Sequence, residues 1–246
     1  MMALFLILLT ALLALLFAGA GVLCACGREK AGARLLWVCW GVAWLLLAAN
    51  AVLAQAPPFG NMRHVLCFFP LVLVPAWQYL RRVQGVELGA WFAWVAVLSL
   101  IGALCMPLQT GWRQMPALQS PWFVPHVTSY VISYGLLAVS ALLAVSGGEK
   151  RLTQADAVVR LAFPFMTFGL WSGALWADAA WGRYWAWDIK EVWSLITWII
   201  YLLYFHAAPA VPKCRRLLIV VGFAAVLITF FVVNLLPKIV SMHSYS

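Results

Sequence analysis

One segment of the chain, residues 176–193, combines aromatic rings and charges while the rest of the chain is almost bare of charge. Its aromatic residues are five tryptophans and a tyrosine, namely Trp176, Trp181, Trp185, Trp187, Trp193 and Tyr184. Its charged residues are Asp178, Arg183, Asp188, Lys190 and Glu191. An interfacial aromatic belt accounts for two or three such residues but not for this set. Flat rings beside fixed charges suit a large planar ligand with an apolar body and ionised edges, such as a tetrapyrrole.

The four histidines of the chain are predicted to lie at different depths in a membrane. His126 begins the fifth apolar run, and His243 lies six residues beyond Pro237 in the tail. Both are expected on the side of the aromatic segment, where two neutral imidazoles facing each other across a macrocycle would give six-coordinate haem iron. His206 lies 15 residues after Glu191, about 22 Å along a helix and past the membrane midplane. Taken singly, each histidine also fits a structural role.

The composition of the chain requires lipid as its main solvent. Of its 246 residues, 66% are hydrophobic and 9% are charged, too few charges to solvate a globule. Eight apolar runs are long enough to cross about 30 Å of hydrocarbon, and each must be helical because lipid offers no partner to an open backbone group. They are about 2–24, 35–55, 64–80, 90–106, 125–146, 160–177, 192–210 and 217–236.

The sequence therefore predicts an all-α, polytopic membrane protein with about eight transmembrane helices. We expect a single membrane domain over residues 1–246, with residues 176–193 forming an external loop. The first run has no basic region before it, so it is interpreted as a retained helix rather than a cleaved signal.

The net charge of +9 indicates membrane orientation and no nucleic-acid partner, because the basic residues form short clusters between apolar runs. Eleven of the 16 basic residues fall on one side of the predicted spans and five on the other. This makes the first side cytoplasmic and places both termini outside. The six cysteines show no CxxC or metal-ligand spacing. Reduced thiols are therefore expected, including the pair Cys24 and Cys26.

Several motifs carry a resemblance to a known family. The aromatic segment resembles the tryptophan-rich WWD signature of the haem-handling cytochrome c biogenesis proteins, the CcsA, CcmC and CcmF group. The matching run is Trp181-Gly182-Arg183-Tyr184-Trp185-Ala186-Trp187-Asp188-Ile189-Lys190-Glu191-Val192-Trp193. Three further stretches resemble the CcsA branch, namely Pro125-His126-Val127 with Tyr130 and Tyr134, Leu195-Ile196-Thr197-Trp198 continuing to His206, and Val233-Asn234-Leu235-Leu236-Pro237 continuing to His243.

The resemblance covers residues 118–246 by motif and the first half of the chain only by topology. Ile189 stands where the family usually has proline. Residues 57–64 lack the tyrosine-glutamate pair expected after the second helix.

The resemblance implies haem handling with assigned site residues. His126 and His243 would ligate an external haem b, and His206 would ligate an inner haem whose other ligand comes from a CcsB/ResB-type membrane partner. The residues implied to contact the external haem are Trp176, Trp181, Trp185, Trp187 and Asp188. Arg113, Arg183 or Lys190 would pair with the propionates.

The implied activity is export of haem and its attachment to the CxxCH motif of apocytochrome c. With its partner, the chain would act as a holocytochrome c synthase mainly by positioning, without a catalytic residue of its own. The implied location is the inner membrane of a bacterium or a thylakoid-type membrane.

Three other classes remain open at the level of sequence. A transporter of another small molecule would need midplane polar groups or broken helices in paired repeats, and only His206 is deep. A haem electron-transfer subunit would usually place histidine pairs at matched depth within its spans. A CcmC-like haem chaperone without ligation activity would lack the deep histidine, so His206 favours the CcsA branch.

Overall fold

The computed structural model describes residues 2–53, 59, 61–108, 116–207 and 212–232. Every long element in these ranges is an α-helix, and eight occur there. They are α1 (Met2–Ala25), α2 (Glu29–Leu53), α3 (Met62–Gln84), α4 (Gly89–Cys105), α5 (Phe123–Val145), α6 (Glu149–Trp181), α7 (Ile189–Ala207) and α8 (Pro212–Leu227). A short 3-10 helix, Pro116–Gln119, precedes α5, and a π-helical turn, Ile228–Val232, follows α8. The predicted all-α class and the eight helices are confirmed.

The helices match a multi-pass membrane protein. Five of them, α1, α2, α5, α6 and α8 with its π-helical turn, are long and apolar enough to cross a bilayer, and α4 is a shorter apolar helix. Many large apolar side chains on α1 and α2 are exposed, as expected where lipid replaces water. The sixth helix is much longer than the predicted span 160–177, because it begins at Glu149 and continues to Trp181.

The internal contacts divide the chain into two compact units, Met1–Gln114 and Met115–Ser246. In the first unit, α1 packs against α2 and α4, and α3 packs against α4 and α2. Arg63 is buried in this unit, and its Nη1 donates to the Ala103 carbonyl at 2.7 Å and to that of Met106 at 3.3 Å. These bonds satisfy carbonyl groups at the end of α4. The single membrane domain expected from the sequence stays a prediction.

In the second unit, α5 and α6 form a closely packed antiparallel pair joined by a turn at Gly147 and Gly148. Helix α8 packs against α7 and α5, and α7 also contacts α6. Up-and-down connectivity therefore brings the start of α5, the end of α6 and the start of α7 to one end of the unit. This end contains His126 and the aromatic segment.

Candidate functional site

His126 lies in the first turn of α5, where α6 fixes the orientation of its ring. Its Nδ1 lies 2.9 Å from the carbonyl oxygen of Gly169. Because a carbonyl oxygen only accepts, Nδ1 must carry a proton, and the neutral ring therefore has its lone pair on Nε2. The ring also stacks on Trp176, with centroids 5.3 Å apart and planes 24° apart. A backbone carbonyl on one ring nitrogen is the usual arrangement when the other nitrogen binds a metal.

Trp176 is buried and stacks against the His126 ring. It is 2% exposed, and its Nε1 donates to the carbonyl oxygen of Ala117 at 2.7 Å. Its ring also packs against Phe123 and Trp181. Trp176 and Trp181 lie in the last turns of α6, so the expected external loop is shorter than 176–193.

The connection between α6 and α7 therefore consists of residues 182–188. Helix α6 ends because Gly182 adopts a left-handed conformation with φ of 72° and donates its N–H to the Asp178 carbonyl at 2.8 Å. A left-handed residue at this position favours glycine, because a Cβ would clash with the backbone. The chain then runs across the end of the unit to the start of α7.

Helix α7 begins with a capping box formed by Asp188 and Glu191. The Asp188 Oδ1 accepts the Lys190 N–H at 3.0 Å. Glu191 is 8% exposed, and its Oε2 accepts the backbone N–H groups of Ala186 at 2.8 Å and Asp188 at 3.1 Å. A carboxylate three residues after an N-cap commonly closes such a box. Glu191 thus holds the connection against α7 through hydrogen bonds to the backbone.

Ile189 occupies the first position of α7, where the family resemblance leads one to expect proline. Proline is tolerated at this position because the first N–H groups of a helix have no partner within the helix. The capping bonds of Asp188 and Glu191 use neither the side chain nor the N–H of Ile189. The substitution therefore leaves the start of α7 intact.

The connection between α6 and α7 carries exposed aromatic rings. Trp187 is 71% exposed and Tyr184 is 57% exposed, and Trp187 packs edge-on against Trp185 at 5.9 Å. Trp187 has a φ of 60°, a conformation that is rare for a bulky residue. Such strained residues are maintained by their surroundings and cluster at binding sites. The aromatic set thus has a buried base at Trp176, an accessible rim at Tyr184 and Trp187, and a half-buried Trp185 packed against Trp187.

Lys190 is a basic residue in the first turn of α7, three residues after Trp187. It is half-buried and precedes the apolar part of α7, which begins at Val192. Burial lowers the pKa of Lys190 to about 8, and the nearby Asp188 carboxylate opposes part of that shift. Arg183, by contrast, is exposed in the connection. A carboxylate ligand next to Lys190 would raise its pKa again and so favour the charged form of its side chain.

His206 lies at the opposite end of the unit, in the last turn of α7. It is exposed, and its Nδ1 lies 2.8 Å from the Leu202 carbonyl of its own helix, so the neutral ring again has its lone pair on Nε2. Nearby, Asp156 of α6 accepts a hydrogen bond from Tyr204 and forms an ion pair with Arg215 of α8. His206 and Glu191 thus lie at opposite ends of the same helix, and the depth of His206 in the membrane stays a prediction.

Two of the predicted site residues, His243 and Arg113, lie outside the described residues. Within the described residues, the structure brings His126, Trp176 and Trp181 together, and Trp185, Trp187, Asp188 and Glu191 follow in the adjoining connection. Sequence reasoning missed Gly169 and Gly173, which lie beside His126. Their spacing of four residues in an apolar helix was the available signal.

The fold and this site define an all-helical, multi-pass membrane protein with an aromatic, histidine-bearing end. The chain matches the family model of the cytochrome c assembly protein over residues 2–241. It is 30% identical over 263 residues to "Cytochrome c biogenesis protein CcsA" of Thermosynechococcus vestitus, covering 81% of this chain and 82% of that protein. A protein of the same name from Chlamydomonas reinhardtii is 36% identical over 151 residues, which cover 53% of this chain and 42% of that protein.

The chain therefore belongs to the cytochrome c assembly protein family, among its CcsA-type members. Membership supports a role in cytochrome c biogenesis and, at the level of the family, haem handling. The apolar helices agree with a membrane location.

Proposed function

We propose that this chain receives haem b, holds it at the end of the second unit that carries His126, and presents it for attachment to apocytochrome c. His126 and His243 would be the two axial ligands there, and the aromatic rim would cover the macrocycle. The site would face the outer side of a bacterial inner membrane or of a thylakoid-type membrane.

The observation that carries this proposal is the state of His126. Its Nδ1–H donates to the Gly169 carbonyl, so the nitrogen with the lone pair is the one a haem iron would use. The stack on Trp176 and the packing of Tyr130, 5.1 Å away, hold the ring in one orientation. A histidine that only lay beside lipid headgroups at the membrane interface would not need its tautomer and its orientation to be held on three sides.

The surroundings fit a planar acid with an apolar body. Trp187 exposes aromatic surface and packs on the half-buried Trp185, and the half-buried Lys190 follows three residues later in the chain. Aromatic contacts of this kind contribute about 1 kcal/mol per pair beyond burial. An ammonium with a pKa lowered to about 8 by burial gains charge stabilisation when a propionate approaches it. The donor set thus matches each part of haem, namely iron, ring and carboxylates.

His206 supports the second half of the proposal, an inner haem site. It is exposed at the far end of α7 with its Nδ1 bonded to its own helix. A single exposed imidazole supplies one axial ligand, so we propose that a CcsB/ResB-type membrane partner supplies the other. Haem would enter there on the cytoplasmic side and be held later at the outer end.

The proposed chemistry is thioether formation. Each cysteine thiol of the CxxCH motif adds across one haem vinyl group, with the sulfur bonding to one carbon and the hydrogen to the other. The two thiols come from the apocytochrome. The contribution of this chain is placement and exclusion of water, and positioning of this kind can lower a barrier by roughly 7–11 kcal/mol.

The test is an absorption spectrum of the detergent-purified chain, co-expressed with its partner, for wild type and three variants: His126→Ala, His243→Ala and His206→Ala. Wild type is expected to show six-coordinate, low-spin haem. The two outer variants are expected to lose the outer haem and keep only the inner one, so that each protein carries less six-coordinate haem, and His206→Ala should lose the inner haem. Cells carrying either outer variant should contain no haem-bearing cytochrome c. A matched tryptophan pair extends the test, because Trp187→Phe should weaken haem binding and Trp37→Phe, on lipid-exposed α2, should not.

Immunoblots of the membrane fraction control for insertion of each variant. A colourless wild-type protein from haem-replete cells would reject haem as the ligand. A wild-type spectrum in both outer variants would reject His126 and His243 as the axial ligands.

A further inference from the structure

Two glycines on α6, Gly169 and Gly173, form a notch against which α5 packs. A Cβ built on Gly173 would lie 2.6 Å from both Cε1 and Nδ1 of His126. A Cβ on Gly169 would lie 3.1–3.2 Å from the ring of Tyr130. The two rings pack edge to face, with centroids 5.1 Å apart. The space left by the missing side chains is therefore filled by the imidazole of His126 and by its neighbouring phenol.

We infer that Gly173 is a positioning residue for the iron ligand: it leaves room for the His126 imidazole to reach the Gly169 carbonyl and thereby fixes Nε2 as the coordinating nitrogen. This inference rests on the proposed function and names a further part of the same site. The ring is held by the carbonyl at its edge, by Trp176 on its face and by the notch. Gly173 touches no ligand and acts only through His126.

Small residues four apart are also common where membrane helices approach each other closely, and the two explanations make different predictions. In simple helix packing, the missing Cβ makes room for the partner's backbone. The atoms nearest the built Cβ of Gly173 are instead three ring atoms of His126, at 2.6, 2.6 and 3.6 Å. If the glycine serves the imidazole, removing the imidazole must abolish the requirement for glycine.

The experiment is a double-mutant cycle on the full chain, purified in detergent and titrated with hemin. The variants are Gly173→Ala, His126→Ala and the double variant, with Gly41→Ala as the matched control. Gly41 is helical, in α2, and a Cβ there meets nothing within 4 Å. Hemin affinity and the six-coordinate spectrum are measured for each protein, and melting of the ligand-free protein reports stability.

Gly173→Ala should convert the spectrum from six-coordinate to five-coordinate and weaken hemin binding about 10- to 100-fold, the usual effect of losing a residue that orients a metal ligand. Gly41→Ala should behave as wild type. The double variant should bind hemin as His126→Ala does, because the added methyl group then occupies the space of the absent ring. If Gly173→Ala alone does not accumulate in membranes, adding His126→Ala should restore its accumulation.

Separate results overturn the two ideas. A wild-type spectrum for Gly173→Ala, with the spectrum lost in His126→Ala, rejects the role of Gly173 and leaves the proposed function standing. A double variant that binds hemin more weakly than His126→Ala, or that still fails to accumulate, also rejects it, because the glycine then serves helix packing. Absence of six-coordinate haem in wild type rejects the proposed function and this inference with it.

Discussion

The Glu191 carboxylate is expected to hold the connection between α6 and α7 closed over the site. Its Oε2 accepts two backbone N–H groups, those of Ala186 and Asp188, at 2.8 and 3.1 Å. Glu191→Ala removes both bonds and leaves two donors without their acceptor. Glu191→Gln keeps an acceptor oxygen in the same place but removes its charge. The two substitutions therefore separate the hydrogen bonds from the charge.

The size of the effect follows from the number and kind of these bonds. A hydrogen bond to a charged group contributes about 1.5–3 kcal/mol, so losing two at the lower value costs about 3 kcal/mol. At about 1.4 kcal/mol per factor of ten, Glu191→Ala should raise the open fraction of the connection roughly 100-fold. Glu191→Gln should cost about half as much, because charge assistance roughly doubles the strength of such bonds, and the open fraction then rises about tenfold.

Amide hydrogen exchange of the purified, ligand-free chain measures this opening directly. Peptides covering residues 182–191 should lose protection by these factors, while peptides from α5 should not change. Glu149→Ala and Glu149→Gln are the matched controls, since Glu149 is exposed in the first turn of α6. Hemin affinity should fall in the same order, Glu191→Ala below Glu191→Gln below wild type. Unchanged exchange in Glu191→Ala, or an equal change in Glu149→Ala, would refute the bracing role.

Three further predictions concern single positions near the site. Trp176→Phe removes the donor to the Ala117 carbonyl, so it should lower the unfolding free energy by about 1 kcal/mol, as measured in thermal melts. Trp187→Phe, at the exposed rim, should leave the melting temperature unchanged. Lys190 has its pKa lowered to about 8 by burial: below that pH it is already charged, and above it propionate binding requires proton uptake. Hemin affinity should therefore fall about tenfold per pH unit above pH 8, and Lys190→Arg should abolish that slope in titrations. Gly182→Ala forces a Cβ into the left-handed region at φ of 72° and should cost about 1 kcal/mol, measured by melting; an unchanged melt would show that the end of α6 relaxes freely.

The helices were predictable because a bilayer imposes a minimum length on apolar runs. Each of the eight predicted spans overlaps one α-helix of the described residues. The error lay at the start of α6, which was predicted at residue 160 and begins at Glu149. A search for apolar runs stops at charged residues. A helix, however, satisfies its own backbone hydrogen bonds and can therefore continue unchanged into water.

The site was predictable in composition but not in arrangement. The contact of Trp176 with the ligand stays a prediction. What the sequence could not give is that its ring is buried against His126, because the depth of a ring depends on how a helix is rotated in its packing. The capping box of Asp188 and Glu191 could be predicted from their spacing of three residues. The contact of His126 with the Gly169 carbonyl was not, since it depends on the register between α5 and α6.

Because α6 is long, the two ends of the second unit are held together by different kinds of interaction. Its 33 residues extend about 50 Å, while the uncharged part, 161–177, accounts for only about 26 Å. The first twelve residues therefore continue beyond the hydrocarbon on the basic side, and Asp156 lies on this projecting part. The side chains of the ion pair of Asp156 with Arg215 of α8 are 19% and 18% exposed, respectively, so salt screens this pair only in part. The aromatic end is held by a buried carboxylate and backbone groups. Raised ionic strength would therefore weaken the end that carries Asp156 more than the aromatic end.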